Sequence, residues 1–329
     1  MHERMAKRMR KKVSIIVLCY NHEKYIIDTL NSIIDQSYND IEILINDDCS
    51  SDNSWNILMS YKHKLEEKFQ NVIIQKSDEN LGITKSLNNM IRIAKGDIIK
   101  SIAGDDYFDP KYIERVVEMF TNKIDAVMTN AYVVFEESTY NNPQIMKKVY
   151  NYIPDLRKEG LFDRIFSHNF ICAPSIALTQ EVFEKNGLYD EKLPVEDLEF
   201  WLRATKENNF SIAYIEDPLI YYRKSLNSMT SIVKNEHYES KKIVMYSSSL
   251  QARKKYEAYL PKIKYKIRMC KLILDFLMIA QNDCLEKLQT LCYKDAEELG
   301  IGYKMLIIVL AKTKIYCIYK KRKELSRQK

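Results

Sequence analysis

Two pairs of neighbouring carboxylates, Asp105-Asp106 and Glu196-Asp197, sit where chemistry could be done. The first pair follows Asp97-Ile98-Ile99-Lys100-Ser101-Ile102-Ala103-Gly104, which reads as a buried strand, and precedes a helix start near Pro110. Adjacent carboxylates repel unless a proton or a cation holds them together. With oxygen ligands alone the fitting ions are Mg²⁺ and Mn²⁺, which usually bridge a protein to substrate phosphates. The same two residues could instead turn the chain and cap the next helix. The second pair opens a helical pattern in which Leu198, Trp201 and Leu202 share one face. Acidic residues in a first helical turn also serve as partners of the helix dipole. Both pairs therefore carry a catalytic and a structural reading at this point.

The elements that must position them form a regular series. Residues 13–20 are a continuous β-branched apolar run, too short for a helix, and read as the first buried strand of a parallel sheet. Residues 23–36 repeat apolar side chains at helical spacing through Ile26, Ile27, Leu30, Ile33 and Ile34. A second strand, 41–46, ends in the polar turn Asp47-Asp48-Cys49-Ser50-Ser51-Asp52, and a helix follows from Ser54. A third strand at 72–75 leads through Asn80-Leu81-Gly82 to a helix over 84–94. The spacing predicts a doubly wound α/β layer, whose strand C-terminal ends are the expected place for a nucleotide. No Gly-x-Gly-x-x-Gly follows the first strand and no P-loop pattern occurs, which disfavours a dinucleotide oxidoreductase or a P-loop enzyme.

Further along, 125–135 and 172–178 read as strands, 136–158 as a polar irregular loop, and 179–186 as a short helix stopped by Gly187. Another strand is expected at 211–215, with a turn at Asp217-Pro218. From about residue 236 the pattern is helical, with segments near 236–258, 262–281, 284–298 and 301–323. The expected organisation is a basic tail over 1–12, an α/β domain over 13–230, and a C-terminal helical region over 231–329.

Composition narrows the class. The 329 residues are 46% hydrophobic, ordinary for a globular chain with a real core. The seven cysteines are scattered, without zinc spacing, which fits a reducing compartment. The net charge of +6 is uneven: residues 1–12 carry +5, residues 311–329 carry +7, and the body is about −6. An acidic body argues against a nucleic-acid groove. Basic ends suit either solvated termini or an anionic membrane surface. No apolar run is long enough for a transmembrane helix and no signal-peptide core opens the chain. The expected location is cytoplasmic, with peripheral contact at the inner membrane face through the helix at 301–319 and the basic tail.

Taken in order, the segments 13–21, Asn46 to Asp52, Glu79-Asn80-Leu81-Gly82 with Asn88, Ala94-Lys95-Gly96-Asp97 and Gly104-Asp105-Asp106 resemble the successive motifs of family 2 glycosyltransferases. The resemblance covers roughly residues 13–230. It implies the GT-A fold with a mixed central sheet, a nucleotide-diphosphate sugar as donor, and Mn²⁺ or Mg²⁺. It places Leu18, Tyr20 and Asn21 beside the nucleotide, with Tyr20 flanking the base and Asp48 accepting from the imide of uracil or thymine. Asp105 and Asp106 would face ribose and metal. Asp197 would be the general base, with Glu196 binding the acceptor or orienting its loop. Four positions depart from the common family pattern. Leu87 stands where many relatives have Arg, with Lys85 a replacement cation. Cys49 stands for Gly, Ala103 for Asp, and Ser225 for a His that follows Tyr222-Arg223; Lys224 or Arg223 is then the cation expected over the diphosphate.

What this implies is an inverting transfer of a hexosyl or N-acetylhexosaminyl group, from UDP-sugar by default, to a glycan or lipid-linked saccharide of a bacterial surface polysaccharide. A homo-oligomer is compatible with it. A sugar-phosphate nucleotidyltransferase is the competing enzyme class, although Tyr20-Asn21-His22-Glu23 lacks its Gly-rich basic loop. A degenerate, transferase-like scaffold is the competing non-enzyme.

Overall fold

The computed structural model describes residues 11–121, 123–195, 197–224, 237–283, 285–300, 302–304 and 307. One mixed sheet of nine strands runs in the order β3-β2-β1-β4-β8-β6-β9-β5, with β7 added beside β6. Its first half is parallel: β1 (Val13–Cys19), β2 (Ile41–Asp47), β3 (Asn71–Lys76) and β4 (Ile98–Ala103). The crossovers are α1 (Ile26–Ile34), α2 (Ser54–Lys68) and α3 (Ile83–Ile93). Every residue of β2 and all but one of β1 are buried, as expected of central parallel strands covered on both faces.

Alternation along these strands sorts side chains between two cores. Val13, Ile15 and Val17 join Ile43, Ile45, Ile98 and Ile102 under α1, α2 and α4 (Tyr112–Met119). Ile16, Leu44 and Ile99 point the other way, toward α3 and the helices that follow. This second core continues through α5 (Leu161–Ser167), α6 (Gln180–Asn186) and α7 (Asp197–Thr205) into the C-terminal helices α8 (Tyr238–Lys254), α9 (Lys262–Asn282) and α10 (Glu286–Glu298). Tyr246, Leu250, Met269 and Leu277 belong to the same apolar cluster as Phe166 and Trp201.

The other half of the sheet is mixed. A two-residue strand, β5 (Tyr107–Phe108), pairs antiparallel with β9 (Ile212–Arg223). β6 (Ala126–Val134) pairs antiparallel with β8 (Ile176–Thr179) and parallel with β9. Three local expectations are corrected here. The chain does not turn at Asp217-Pro218: β9 runs through it, and the register jumps so that Thr129 faces Ile215 while Asn130 faces Pro218. The bulge accommodates a residue that has no N–H to give the ladder. The loop at 136–158 contains an exposed edge strand, β7 (Ile145–Lys148). The stretch 172–178 opens as a 3-10 turn, Ala173–Ser175, set by Pro174, before β8 begins.

No helix among the described residues is long and apolar enough to cross a membrane. The basic tail at 1–10, most of the helix expected at 301–323, and Ser225 lie outside the described residues.

Candidate active site

The C-terminal ends of β1, β2 and β4 lie side by side, with Cys19 opposite Asp47 and Leu18 opposite Ala103. The ladder carries on one step past them: Asp48 N donates to Cys19 O at 2.8 Å and Gly104 N to Leu18 O at 2.8 Å. The loops beyond are knitted together by polar side chains. Asn21 Oδ1 accepts from Ser51 N at 2.9 Å, while Asn21 N donates to Ser50 Oγ at 2.9 Å. Asn21 itself has φ +56°, a conformation Asn tolerates better than most residues. This lock leaves Tyr20 projecting, 47% exposed, at the rim. Gly104 is forced by space: a Cβ there would stand 2.8 Å from His22 Nδ1 and 2.9 Å from Ile26 Cδ1.

Asp48 is buried, and its carboxylate organises protein first. Oδ1 accepts from Leu81 N at 2.9 Å and Ser86 Oγ at 2.8 Å, and Oδ2 from Gly82 N at 2.9 Å. It thereby fixes the entry to α3, where Gly82 sits at φ +78°. Lys85 is on the exposed side of that helix. Leu87 and Asn88 are buried on its other side.

Asp105 is half-buried and Asp106 only 1% exposed. Asp106 Oδ1 accepts from Arg223 N at 2.8 Å, and its carbonyl from Thr29 Oγ1 at 2.7 Å. Burial, and then the neighbouring charge of Asp105, push the Asp106 carboxyl well above the usual range. Beneath it lies Lys100, fully buried in mid-strand, donating to the carbonyls of Pro174 and, at 3.3 Å, Ile176. Burial lowers the Lys100 ammonium to about 7.

Arg223 takes a place other than the one expected for it. Its guanidinium is turned inward at 1% exposure, between the rings of Tyr25 and Tyr107. Nε donates to Asp105 O at 2.8 Å, Nη1 to the carbonyls of Glu136 and Ser138, and Nη2 to Asp28 Oδ2 at 3.0 Å. Arg223 thus clasps the backbone of the acidic turn from behind, rather than reaching over a bound phosphate.

Asp197 begins α7 and is half-buried. Asn169 Nδ2 donates to its Oδ2 at 2.8 Å. Burial is the largest influence on the Asp197 carboxyl and raises its proton affinity above the usual value. Asp197 lines a narrow cavity of about 30 Å³ with Leu87, Ser101, Ala173, Tyr189 and Trp201. The approach to α7 is held by α3: Thr84 Oγ1 donates to Leu193 O at 2.9 Å, and Asn88 both donates to Tyr189 O at 2.9 Å and accepts from Tyr189 N at 3.0 Å. Glu196 lies outside the described residues.

The two acidic centres are joined by one stretch of chain, residues 169–176. Asn169 holds Asp197, Cys172 lies within electrostatic reach of Asp106, and the carbonyls of Pro174 and Ile176 hold Lys100. Sequence reasoning did not single out Asn169 or Asp28, whose partners are distant in the chain. Lys100 did carry a signal, as the one charged residue inside an apolar strand.

Among the described residues no three His, Cys, Asp or Glu side chains gather as a ligand set. Two neighbouring carboxylates, one of them buried against its own charge, nonetheless suit a hard divalent cation that completes its shell with substrate oxygens.

A mixed sheet with carboxylates at the C-terminal edge of its parallel half, and a helix starting with a carboxylate across from it, defines a GT-A fold. The chain belongs to glycosyl transferase family 2, whose model matches residues 14–187, more than half of its length. It is 30% identical over 258 residues to the protein named "Putative glycosyltransferase EpsH" of Bacillus subtilis, covering 75% of this chain and 71% of that one. Glycosyltransferase GlyG of Streptococcus pneumoniae is 27% identical over 67% of this chain and 73% of its own. Among solved structures, S. aureus TarS 1-349 in complex with UDP-GlcNAc aligns with a TM-score of 0.56 at 19% identity, over 92% of both chains. Mannosyltransferase PcManGT from Pyrobaculum calidifontis, in complex with GDP-Man and Mn²⁺, aligns with a TM-score of 0.55 at 16% identity, over 98% of this chain and 85% of that one. These two share the fold. Family membership sets aside the nucleotidyltransferase alternative.

Proposed function

We propose that this glycosyltransferase moves a sugar, with inversion, from a nucleoside-diphosphate donor to a hydroxyl of a growing surface glycan. UDP is the nucleotide of choice and a hexosyl or N-acetylhexosaminyl group the sugar. The observation that supports the reading is the stretch 169–176, in which Asn169 holds Asp197 and the carbonyls of Pro174 and Ile176 hold Lys100 of the strand that leads to Asp105-Asp106.

In this reading the nucleotide lies across the ends of β1 and β2, against the exposed ring of Tyr20 and near Leu18 and Asn21. Asp48 shapes the floor of that cleft by pinning Leu81 and Gly82. Lys85, exposed on α3, is the cation available toward the diphosphate. Asp105 and Asp106 would hold a divalent metal, Mn²⁺ or Mg²⁺, which would supply positive charge to neutralise the departing diphosphate. Asp197 accepts the proton of the acceptor hydroxyl as that oxygen attacks the anomeric carbon. The bond from that carbon to the phosphate oxygen breaks, its electron pair leaves with the diphosphate, and the single displacement inverts the centre. A half-buried carboxylate with raised proton affinity is suited to this task. The acceptor is a glycan or lipid-linked saccharide, and the basic termini would bring the enzyme to an anionic membrane carrying it.

The test is thermal stabilisation by UDP, dTDP, GDP and CDP, each with and without Mn²⁺, in wild type and in Asp106→Ala. The expected result is a metal-dependent shift with UDP that the variant loses. A ligand at 100 times its dissociation constant stabilises by about 2.7 kcal/mol. No shift with any nucleotide would overturn the catalytic reading and leave the transferase-like scaffold.

A further inference from the structure

We propose that Asn169 is a positioning residue for the carboxylate of Asp197, and that Arg253, from the C-terminal helical region, sets Asn169 in place. The proposal rests on the reading of Asp197 as the base and adds to it how the base is aimed. A carboxylate that is to take a proton must present one oxygen to the acceptor and hold its rotamer. Asn169 Nδ2 donates to Oδ2 at 2.8 Å, and the backbone N–H groups of Leu198 and of Asp197 itself also favour the ionised carboxylate, so the side chain is held from its own helix start and from Asn169. Asn169 Oδ1 in turn accepts from Ile171 N at 3.2 Å, so the amide is oriented with its NH₂ toward Asp197.

Asn169 stands on no regular element; it follows the end of α5 by two residues. What fixes that end is Arg253 of α8. Its guanidinium, buried at 4% exposure, donates from Nε to Phe166 O at 2.7 Å and packs over the Phe166 ring at 5.7 Å. A cation at the carbonyl end of a helix is also favoured by the helix dipole. Its Nη1 is held by Ser249 of its own helix. The path is therefore α8 to the end of α5, to Asn169, to the carboxylate.

On α7 itself Glu199 is engaged by Arg203 at 2.9 Å and by Tyr256 Oη at 2.7 Å. The faces that α3, β4 and α6 turn to the cavity beside it are Leu87, Ile91, Ile99, Ser101 and Phe183, with Tyr189 and Trp201 completing the wall. Arg253 is a basic group whose charge reaches the carboxylate, and after the Asn169 amide and the backbone N–H groups of Leu198 and Asp197 it favours the ionised form against burial.

The experiment follows the Asp197 carboxyl carbon by ¹³C NMR through a pH titration of the full chain, assigned by its loss in Asp197→Asn, without any ligand. Asn169→Ala should move the midpoint up by about one pH unit, a tenfold gain in proton affinity. Asn169→Asp, which keeps the shape and adds a charge, should move it further. Release of UDP from UDP-GlcNAc with Mn²⁺, measured alongside, should show the acid limb of kcat displaced by the same amount and KM for the donor unchanged. Arg253→Lys should leave the midpoint near wild type, and Arg253→Met should raise it. If Asn169→Ala and Asn169→Asp both titrate as wild type, the positioning proposal is overturned. If instead Asp197→Asn releases UDP as fast as wild type, it is the base assignment that fails.

Discussion

Cys49 adopts φ +65°, the left-handed region that side chains with a Cβ enter at a cost of about 1–2 kcal/mol. Its Sγ reaches only the carbonyl of Asp78, at 3.6 Å. Cys49→Gly should therefore stabilise the protein by about 0.5–1 kcal/mol, the relief of strain being partly offset by the entropy of a freer unfolded chain. A denaturation midpoint that falls would refute it. Lys100 offers a second test. Its folded value near 7 lies far below that of an exposed lysine, so the unfolded chain binds more protons between pH 7 and about 10.4. The contribution of Lys100 to stability then rises with pH across that window. Lys100→Met removes the dependence. The stability gap between wild type and this variant should shift in favour of wild type by about 1–2 kcal/mol from pH 7 to 8.5. Parallel pH profiles by urea titration would show that Lys100 is not held as described.

At the scale of elements, α3 links the loop beyond β2 to the segment that leads into α7. Its N-terminal turn is pinned by Asp48, and its buried face holds 189–193 through Thr84 and Asn88. Asn88→Ala would remove the hydrogen bonds that Asn88 makes to the N–H and the C=O of Tyr189, a cost of about 0.5–1.5 kcal/mol for each. Because that segment leads into α7, kcat should fall by about tenfold or more while nucleotide-induced stabilisation persists. Loss of nucleotide binding instead would place Asn88 on the donor side. This coupling also explains what the sequence could and could not disclose. β1, β2, β4 and α1 are legible because unbroken apolar runs and helical spacing are local signals. The passage of β9 through Pro218 is not, since only its pairing with β6 across a bulge keeps it extended. Asp105, Asp106 and Asp197 could be singled out by type and setting, whereas the inward turn of Arg223 depends on Asp28, Glu136 and Ser138, 85 to 195 residues away.

For the whole molecule, the division into an α/β domain over 13–230 and a helical region over 231–329 meets a continuous core. Leu250, Met269 and Leu277 lie in one cluster with Ile165, Phe166 and Trp201. Polar links cross the same boundary: Arg253 to Phe166 O, Tyr256 Oη to Glu199 at 2.7 Å, and Lys255 to Asp190. A large apolar side chain moved from such a core into water forfeits about 1.5–3 kcal/mol, and several would be exposed together. That loss is comparable to the whole net stability of an ordinary domain. A chain ended at residue 230 should therefore fail to fold cooperatively, binding a hydrophobic dye and aggregating, while the full chain melts in one calorimetric transition whose van't Hoff and calorimetric enthalpies agree. Two resolved transitions, or a soluble, cooperatively melting shortened chain, would mean that the helices are an appendage. A single transition would mean that the C-terminal helices and the α/β layer unfold as one body, as their shared core requires.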